Sequence, residues 1–351
     1  MTATATMSRW GAAETGTESL DGPEIQMETV PCPGCQGTSF EPILKGGDHL
    51  TRLGGEFSLV RCAHCQLALT NPRPVAESLG YFYPSNYTPY DPSNSGSLGW
   101  WSQLLEDAAL RTYYGYPQQP VNLMTRLLGR LALTKFRSRR KRHEWFPYRE
   151  SGKLLDVGCG GGKFLERMRH FGWNVTGIDL AADVAQRVQQ RTGIKVYSGT
   201  LPHVDLKPLS FDAVTMWHLL EHVPDPRGLL KCAADLLRPN GLLVIEVPNI
   251  ASWSFAEFGS NWFGLELPRH LQHFDPQTLP AILPHGCFRN VEVQQMGSRS
   301  WMKLSVERAV AAGHTKYADW LSRGKSFWTQ QADRTEAANQ GDAIRLVAER
   351  I

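Results

Sequence analysis

Leu154-Leu-Asp-Val-Gly-Cys-Gly-Gly-Gly162 is the stretch on which the fold turns. Lys153 to Val157 reads as a short apolar strand and Lys163 to Phe171 as a helix, with the glycines between them making a tight turn. In such a turn the backbone approaches a ligand closely, and the helix N-terminus offers free N–H groups. A dinucleotide fingerprint wants Gly at the first, third and sixth positions; counting from Gly158, the sixth is Lys163, so that reading fails. What stands instead is Asp156, two residues ahead of the turn, an acid suited to an ammonium group rather than a pyrophosphate. Asp179 closes the next strand, where a carboxylate accepts hydrogen bonds from ribose hydroxyls.

Outward from the turn, strands and helices alternate. Asn174 to Ile178, Lys195 to Ser198, Phe211 to Met216 and Gly241 to Val247 continue the strand series, with helices over Ala182 to Thr192 and Arg227 to Leu237. Helical connections of this length imply right-handed crossovers and a mostly parallel sheet. Phe288 to Met296 and Ala343 to Ala348 read as two final strands. Upstream, residues 1–28 show no periodicity and are expected to form a flexible tail. Residues 30–72 carry short apolar pieces between cysteine pairs, the pattern of a small module with little hydrophobic core. Residues 73–148 form an aromatic connector (Tyr81, Tyr83, Tyr87, Tyr90) followed by two helices broken near Tyr116-Pro117, and 151–351 form the α/β domain.

The 351 residues carry 37 Lys and Arg against 34 Asp and Glu, a net charge of +3, which is too small to argue for nucleic-acid binding on its own. No apolar run is long enough to cross a bilayer. Seven cysteines, an odd number, argue against a disulfide scaffold and for reduced thiols in a cytoplasm. Between Arg126 and Arg142 there are eight Lys or Arg and no acid. Such a run is ordinarily a solvated helix face, although an acidic ligand, a phospholipid surface or RNA would also suit it.

The segments LLDVGCGGG (154–162), GID (177–179), FDAVTMWHLLEHVPDP (211–226) and PNGLLVIEVPN (239–249) resemble, in this order, those of class I S-adenosylmethionine-dependent methyltransferases. The resemblance implies a Rossmann-like, seven-stranded sheet ending in an antiparallel hairpin. It places Asp156 at the methionine amino group, with Gly158, Gly160 and the backbone of Cys159 along the methionine. Asp179 would then meet the ribose, and Thr200, Leu201 and Trp217 the adenine. A cysteine module followed by NPRP…YFYPSNY (71–87) is a layout similar to that of some nucleotide-sugar C-methyltransferases. By that likeness Glu221 and His222 are the acid/base pair at a small acceptor, plausibly a sugar nucleotide or glycan precursor.

Methyl transfer from a sulfonium is an in-line displacement that requires an aligned acceptor and a group to take its proton. Candidates beyond the strand ends are His218, Glu221 and His222, and then Arg269, His270 and His273 in PRHLQHF (268–274). Glu221, His222 and His270 are the acid/base assignments. The spelling His218-x-x-Glu221-His222 also matches an inverted zinc-peptidase motif, but it follows a strand and meets Pro224 at once, where a helix is required. In some quinone O-methyltransferases an acid that helps bind a divalent ion occupies the position of His218, so the substitution argues against such an ion here. Cys32-Pro-Gly-Cys35 and Cys62-Ala-His-Cys65 form two C-x2-C knuckles, a ligand set for structural zinc. A ribosomal-RNA methyltransferase with a zinc module, and a catalytically silent cofactor-binding protein of the same fold, are the alternatives.

Overall fold

The computed structural model describes residues 25–83, 100–116, 122–135, 145–149 and 152–351. The first five strands are β1 (Met27–Glu28), β2 (Phe40–Gly46), β3 (Phe57–Cys62), β4 (Ala68–Thr70) and β5 (Arg73–Pro74). Next come helices Trp100–Tyr114 and Leu123–Lys135 and the strands β6 (Lys153–Val157), β7 (Asn174–Asp179), β8 (Val196–Ser198), β9 (Phe211–Trp217) and β10 (Leu237–Pro248). Finally, β11 (Gln272–His273), β12 (Phe288–Met296) and β13 (Ala343–Arg350) close the chain.

Seven strands form one sheet in the order β12-β13-β10-β9-β6-β7-β8. The β6, β7, β8, β9 and β10 pairings are parallel, and β13 runs antiparallel between β10 and β12. This is the expected α/β methyltransferase architecture, final hairpin included. Strands β6, β9 and β10 are buried almost throughout, as a parallel sheet covered on both faces requires. On one face Leu155, Ile178, Val214 and Ile245 pack under helix Pro226–Leu236. On the other, Leu154, Ala213 and Val244 lie under helices Lys163–His170, Ala182–Thr192 and Trp100–Tyr114. Asp225 starts helix Pro226–Leu236 by accepting the Gly228 N–H at 2.9 Å, with proline at the first helical position.

Two expectations need correction, and one stretch left unassigned by the sequence proves helical. Residues 27 and 28 are not part of a tail: Met27–Glu28 is a strand paired with Arg73–Pro74 and locked by the Glu28–Arg73 ion pair at 2.8 Å, while residues 1–24 lie outside the described residues. The cysteine segment does have a core. Its sheet, in the order β11-β4-β3-β2, borrows β11 from the α/β domain, and Phe57, Leu59 and Ala68 pack with Trp262, Met302 and Trp328. The reason is geometric, since a three-stranded sheet of this size buries one face only by sharing it. Lastly, the stretch between the final two strands holds helices Arg299–Ala311 and Lys325–Ala337, and Met302, Val306 and Ala309 of the first sit at helical spacing in that shared core. Tyr87, Tyr90 and residues 136–144 of the basic run lie outside the described residues.

Candidate active site

The glycine turn lies at the carboxyl end of β6, where open α/β sheets bind ligands. Gly158, Gly160 and Gly162 have φ of 72°, 48° and 77°, the left-handed region that glycine adopts without strain. A Cβ at Gly158 would come within 2.7 Å of Leu219, so the turn also needs the space. Asp156 is buried and accepts the Thr215 hydroxyl at 2.7 Å. Burial pushes its carboxyl up to about 7, against the lowering effect of that bond. Asp179 accepts the Gly160 N–H at 2.8 Å and the Ala181 N–H at 3.0 Å, so it ties the glycine turn to the end of β7. Each oxygen keeps a second lone pair for a ligand.

The other expected cofactor positions divide. Cys159 is buried beside Gly177, and Leu201 belongs to the core layer around Ile178. Trp217 packs on the opposite face against Phe164, ring centroids 4.9 Å apart, with the Arg345 guanidinium 4.6 Å above its ring. Thr200 is exposed.

The second cluster sits beyond β9 and β10. Glu221 is almost fully buried, and neither carboxyl oxygen has a hydrogen-bond partner within the protein. Its Oε1 lies 3.7 Å from His218 Nδ1 and 3.9 Å from His270 Nε2. Such a group calls for something to fill the space it faces. His222 and His270 stand edge to face with ring centroids 4.6 Å apart. His222 Nδ1 is 3.1 Å from the Arg269 carbonyl and 2.9 Å from the Tyr83 hydroxyl. A carbonyl only accepts, so Nδ1 carries a proton and Nε2 is the nitrogen left for a ligand. By the same argument His270 donates from Nδ1 to the Gly264 carbonyl at 3.0 Å. Burial, with His222, His273 and Arg269 nearby, lowers the His270 pKa well below its usual value, so this ring is neutral.

His218 follows β9 with φ of 51°, uncommon for a non-glycine residue. Its Nε2 is 3.3 Å from Glu246 Oε1. Burial would lower its pKa, but the carboxylates of Glu221 and Glu246 outweigh that and raise it to about 9. Burial equally opposes the charge on Glu246, yet Arg345 and His218 hold its carboxyl well below the usual range. The result is a row of alternating charges along the strand ends, Glu221, His218, Glu246 and Arg345. Glu221, His222 and His270 each offer a ligand atom within 4.8 Å of the others, a spacing that a metal ion would also suit. The segment Leu220–His222 is a single 3-10 turn, so His218 and His222 do not share the helix face that the peptidase motif requires.

The cysteine module supplies a wall of this site. Thr70 on β4 donates to the His270 carbonyl at 2.7 Å and holds His273 Nε2 at 3.2 Å, which makes His273 a neutral buried strut. Arg269, also buried, donates to Asp48 Oδ1 at 2.9 Å and to the Phe82 carbonyl at 3.2 Å. The knuckles repeat each other: Cys32 N–H meets the Gly37 carbonyl and Cys62 N–H the Leu67 carbonyl, and Gln36 and Gln66 both have φ of 64°. The four sulfurs lie within 4.8 Å of one another, with Cys32–Cys65 at 3.4 Å and Cys35–Cys62 at 3.5 Å. Thiolates at about 2.3 Å from a tetrahedral zinc are roughly 3.8 Å apart, so the set fits a closed structural site.

Sequence reasoning missed Tyr83, Asp48 and Glu246 as site residues. Glu246 alone left a signal, as a charge inside the apolar run of β10.

The fold is the α/β methyltransferase fold, and residues 124–293 match the family model described as "Methyltransferase domain". Among curated relatives, the chain is similar to the ubiquinone biosynthesis O-methyltransferase of Xanthomonas euvesicatoria pv. vesicatoria (strain 85-10), 37% identical over 139 residues, which are 37% of this chain and 58% of that protein. The enzyme of the same name from Xanthomonas oryzae pv. oryzae (strain PXO99A) is 37% identical over 150 residues, 40% of this chain and 62% of that one. The chain thus spans about three-fifths of the length of these relatives. A solved S-adenosylmethionine-dependent methyltransferase from Archaeoglobus fulgidus is 21% identical, covering 62% of this chain and 93% of that one at a TM-score of 0.42.

Proposed function

We propose that the chain methylates a small hydroxylated or ketonic acceptor, with Glu221, His222 and His270 as its acid/base groups. The observation that carries this reading is Glu221, buried without a hydrogen-bond partner and set beside the imidazole rings of His218, His222 and His270 at the ligand-binding end of the sheet. Bound S-adenosylmethionine supplies an electrophilic methyl on a sulfonium. Asp156 suits its ammonium, the glycine turn its methionine backbone and Asp179 its ribose hydroxyls. His222 Nε2 is the lone pair placed to take the acceptor's proton, and Tyr83 and the Arg269 carbonyl hold the ring in that tautomer. The His218 imidazolium offsets negative charge developing beside Glu221. The cysteine module and the connector it precedes favour a sugar nucleotide or glycan precursor as acceptor, whereas the names of the relatives favour a ring hydroxyl. The four-cysteine set holds a structural zinc, and the thiols of Cys159, Cys232 and Cys287 suit a reducing cytoplasm.

Labelled methyl from the cofactor, offered with nucleotide-sugar and hydroxyaromatic panels, should appear in one of the two. Label found only in an RNA fraction, or in none with the cofactor bound, overturns the proposal.

Two further outcomes concern the cofactor. Asp179→Ala removes the acceptor for the Gly160 N–H of the binding turn and the Ala181 N–H beyond β7, each bond to a charged group contributing about 1.5–3 kcal/mol. Cofactor affinity by calorimetry should fall roughly a hundredfold with the fold retained; unchanged affinity removes Asp179 from the site. Ammonium binding requires ionised Asp156, whose carboxyl titrates at about 7 in the free protein. Affinity should therefore fall towards tenfold per unit below that pH, and fall again on the alkaline side as the cofactor's own ammonium loses its proton at about 8. A profile with no break near neutrality rules out this role for Asp156.

A further inference from the structure

Side chains alternate along each strand, which puts Asp156, Thr215, Trp217, Glu246 and Arg345 on the face of the sheet where Leu154, Ala213, Val244 and Val347 meet the helices. Within that face Asp156 lies opposite Thr215. One pleat further towards the carboxyl end Trp217 lies opposite Glu246, which in turn pairs with Arg345. The guanidinium here is out of water, since Arg345 is 3% exposed. Its Nη2 donates to Glu246, and its charged plane crosses β10 to lie 4.6 Å above the Trp217 ring. Nε and Nη1 are buried with no hydrogen-bond partner. Glu246 does not serve Arg345 alone, because its Oε1 is 3.3 Å from His218 Nε2. A buried cation whose N–H groups are unmet calls for an anion.

The methionine end of S-adenosylmethionine is an α-amino acid: its ammonium suits Asp156, and its carboxylate needs a cation. We propose that Arg345 binds this carboxylate through the N–H groups that Glu246 does not use. The inference rests on the cofactor reading above and extends it. Thr215, which holds Asp156, and Trp217, which carries the guanidinium, stand two residues apart on β9. Acid and cation thus come to the same strand end on the same side of the sheet. Hydrogen bonds from a guanidinium to a carboxylate are among the strong ones, and stacking on the indole fixes the plane before a ligand arrives. Trp217 then belongs to the methionine end rather than to the adenine. An anionic group on the acceptor is the other source of such a ligand. Along the row Glu221, His218, Glu246 and Arg345 the guanidinium stands farthest from the proposed acid/base groups, which favours the cofactor.

The test is calorimetry on the full-length, zinc-loaded protein with S-adenosylmethionine and with its decarboxylated analogue, which keeps the sulfonium and the amine. The parent should bind the analogue roughly ten- to a hundredfold more weakly. Arg345→Met should erase that preference by weakening S-adenosylmethionine alone. Arg345→Met with Glu246→Gln should do the same, and it leaves no buried carboxylate without its cation, so the measurement stands even where the single variant does not fold. An equal loss for both compounds means that the Glu246–Arg345 pair only holds the sheet together, and it overturns the proposal. So does a parent that binds the two compounds alike, or a variant that keeps the preference but raises the KM of an anionic acceptor. A parent that binds neither compound overturns the cofactor reading itself, a result distinct from all of these.

Discussion

His222→Ala is expected to lower turnover about 10²–10⁴-fold while cofactor affinity is unchanged. The expectation rests on tautomer and position. His222 Nδ1 is committed to the Arg269 carbonyl at 3.1 Å, which leaves Nε2 as a base, and neighbouring His270 is kept neutral by burial. The groups proposed to bind the cofactor, Asp156, Asp179 and the glycine turn, share no hydrogen bond with His222 among the described residues. Single-turnover rates should therefore fall with no change in the cofactor titration. Tyr83→Phe serves as a control, because the carbonyl still orients the ring and most of the rate should survive. If His222→Ala turns over within a few-fold of the parent, the base lies elsewhere, with Glu221 next in line.

Stripping the metal from the four cysteines should abolish turnover yet change cofactor affinity far less. Apparent binding energies of about 10–16 kcal/mol in zinc-finger peptides show how much folding free energy one tetrahedral site contributes. Here the module's folding is also the acceptor site's folding. Strand β4 pairs with β11, Thr70 holds the His270 carbonyl, and Asp48 holds Arg269, whose own carbonyl orients His222. The cofactor end of the sheet shares none of these bonds. Atomic spectroscopy on the dialysed protein would establish metal loss, and retained turnover in that sample would refute the coupling. Asp48→Ala loosens the same wall without touching the cysteines. Removing one partner of a buried ion pair costs about 3–5 kcal/mol, here reduced because Glu266 lies 3.4 Å from the Arg269 guanidinium.

How far the sequence could be read follows from the range of each interaction. The glycine turn, the two acids and the strand series are local patterns, and they stand in the structure close to where spacing placed them. The knuckles were legible because paired C-x2-C spacing is itself a local pattern, and the structure gathers its four sulfurs within 4.8 Å of one another. Helix Arg299–Ala311 was overlooked although Met302, Val306 and Ala309 carry its periodicity, because polar and aromatic residues dilute that stripe. Tyr83, Asp48 and Thr70 reach the site across 139, 221 and 200 residues of chain, and no spacing rule links positions so far apart. Glu246 and Arg345 form a buried pair across the antiparallel β10–β13 register, which only the sheet order reveals.

The two-residue strand β11 has a practical consequence. A trimmed chain beginning near residue 100, the natural choice for isolating the α/β half, would lose β4 and leave the backbone groups of Gln272 and His273 without their ladder. Phe258, Trp262 and Met302, covered in the intact protein, would be laid open to water beside that raw edge. Such a fragment should stick to its own kind and precipitate, which makes the intact polypeptide the smallest sensible unit for biochemistry.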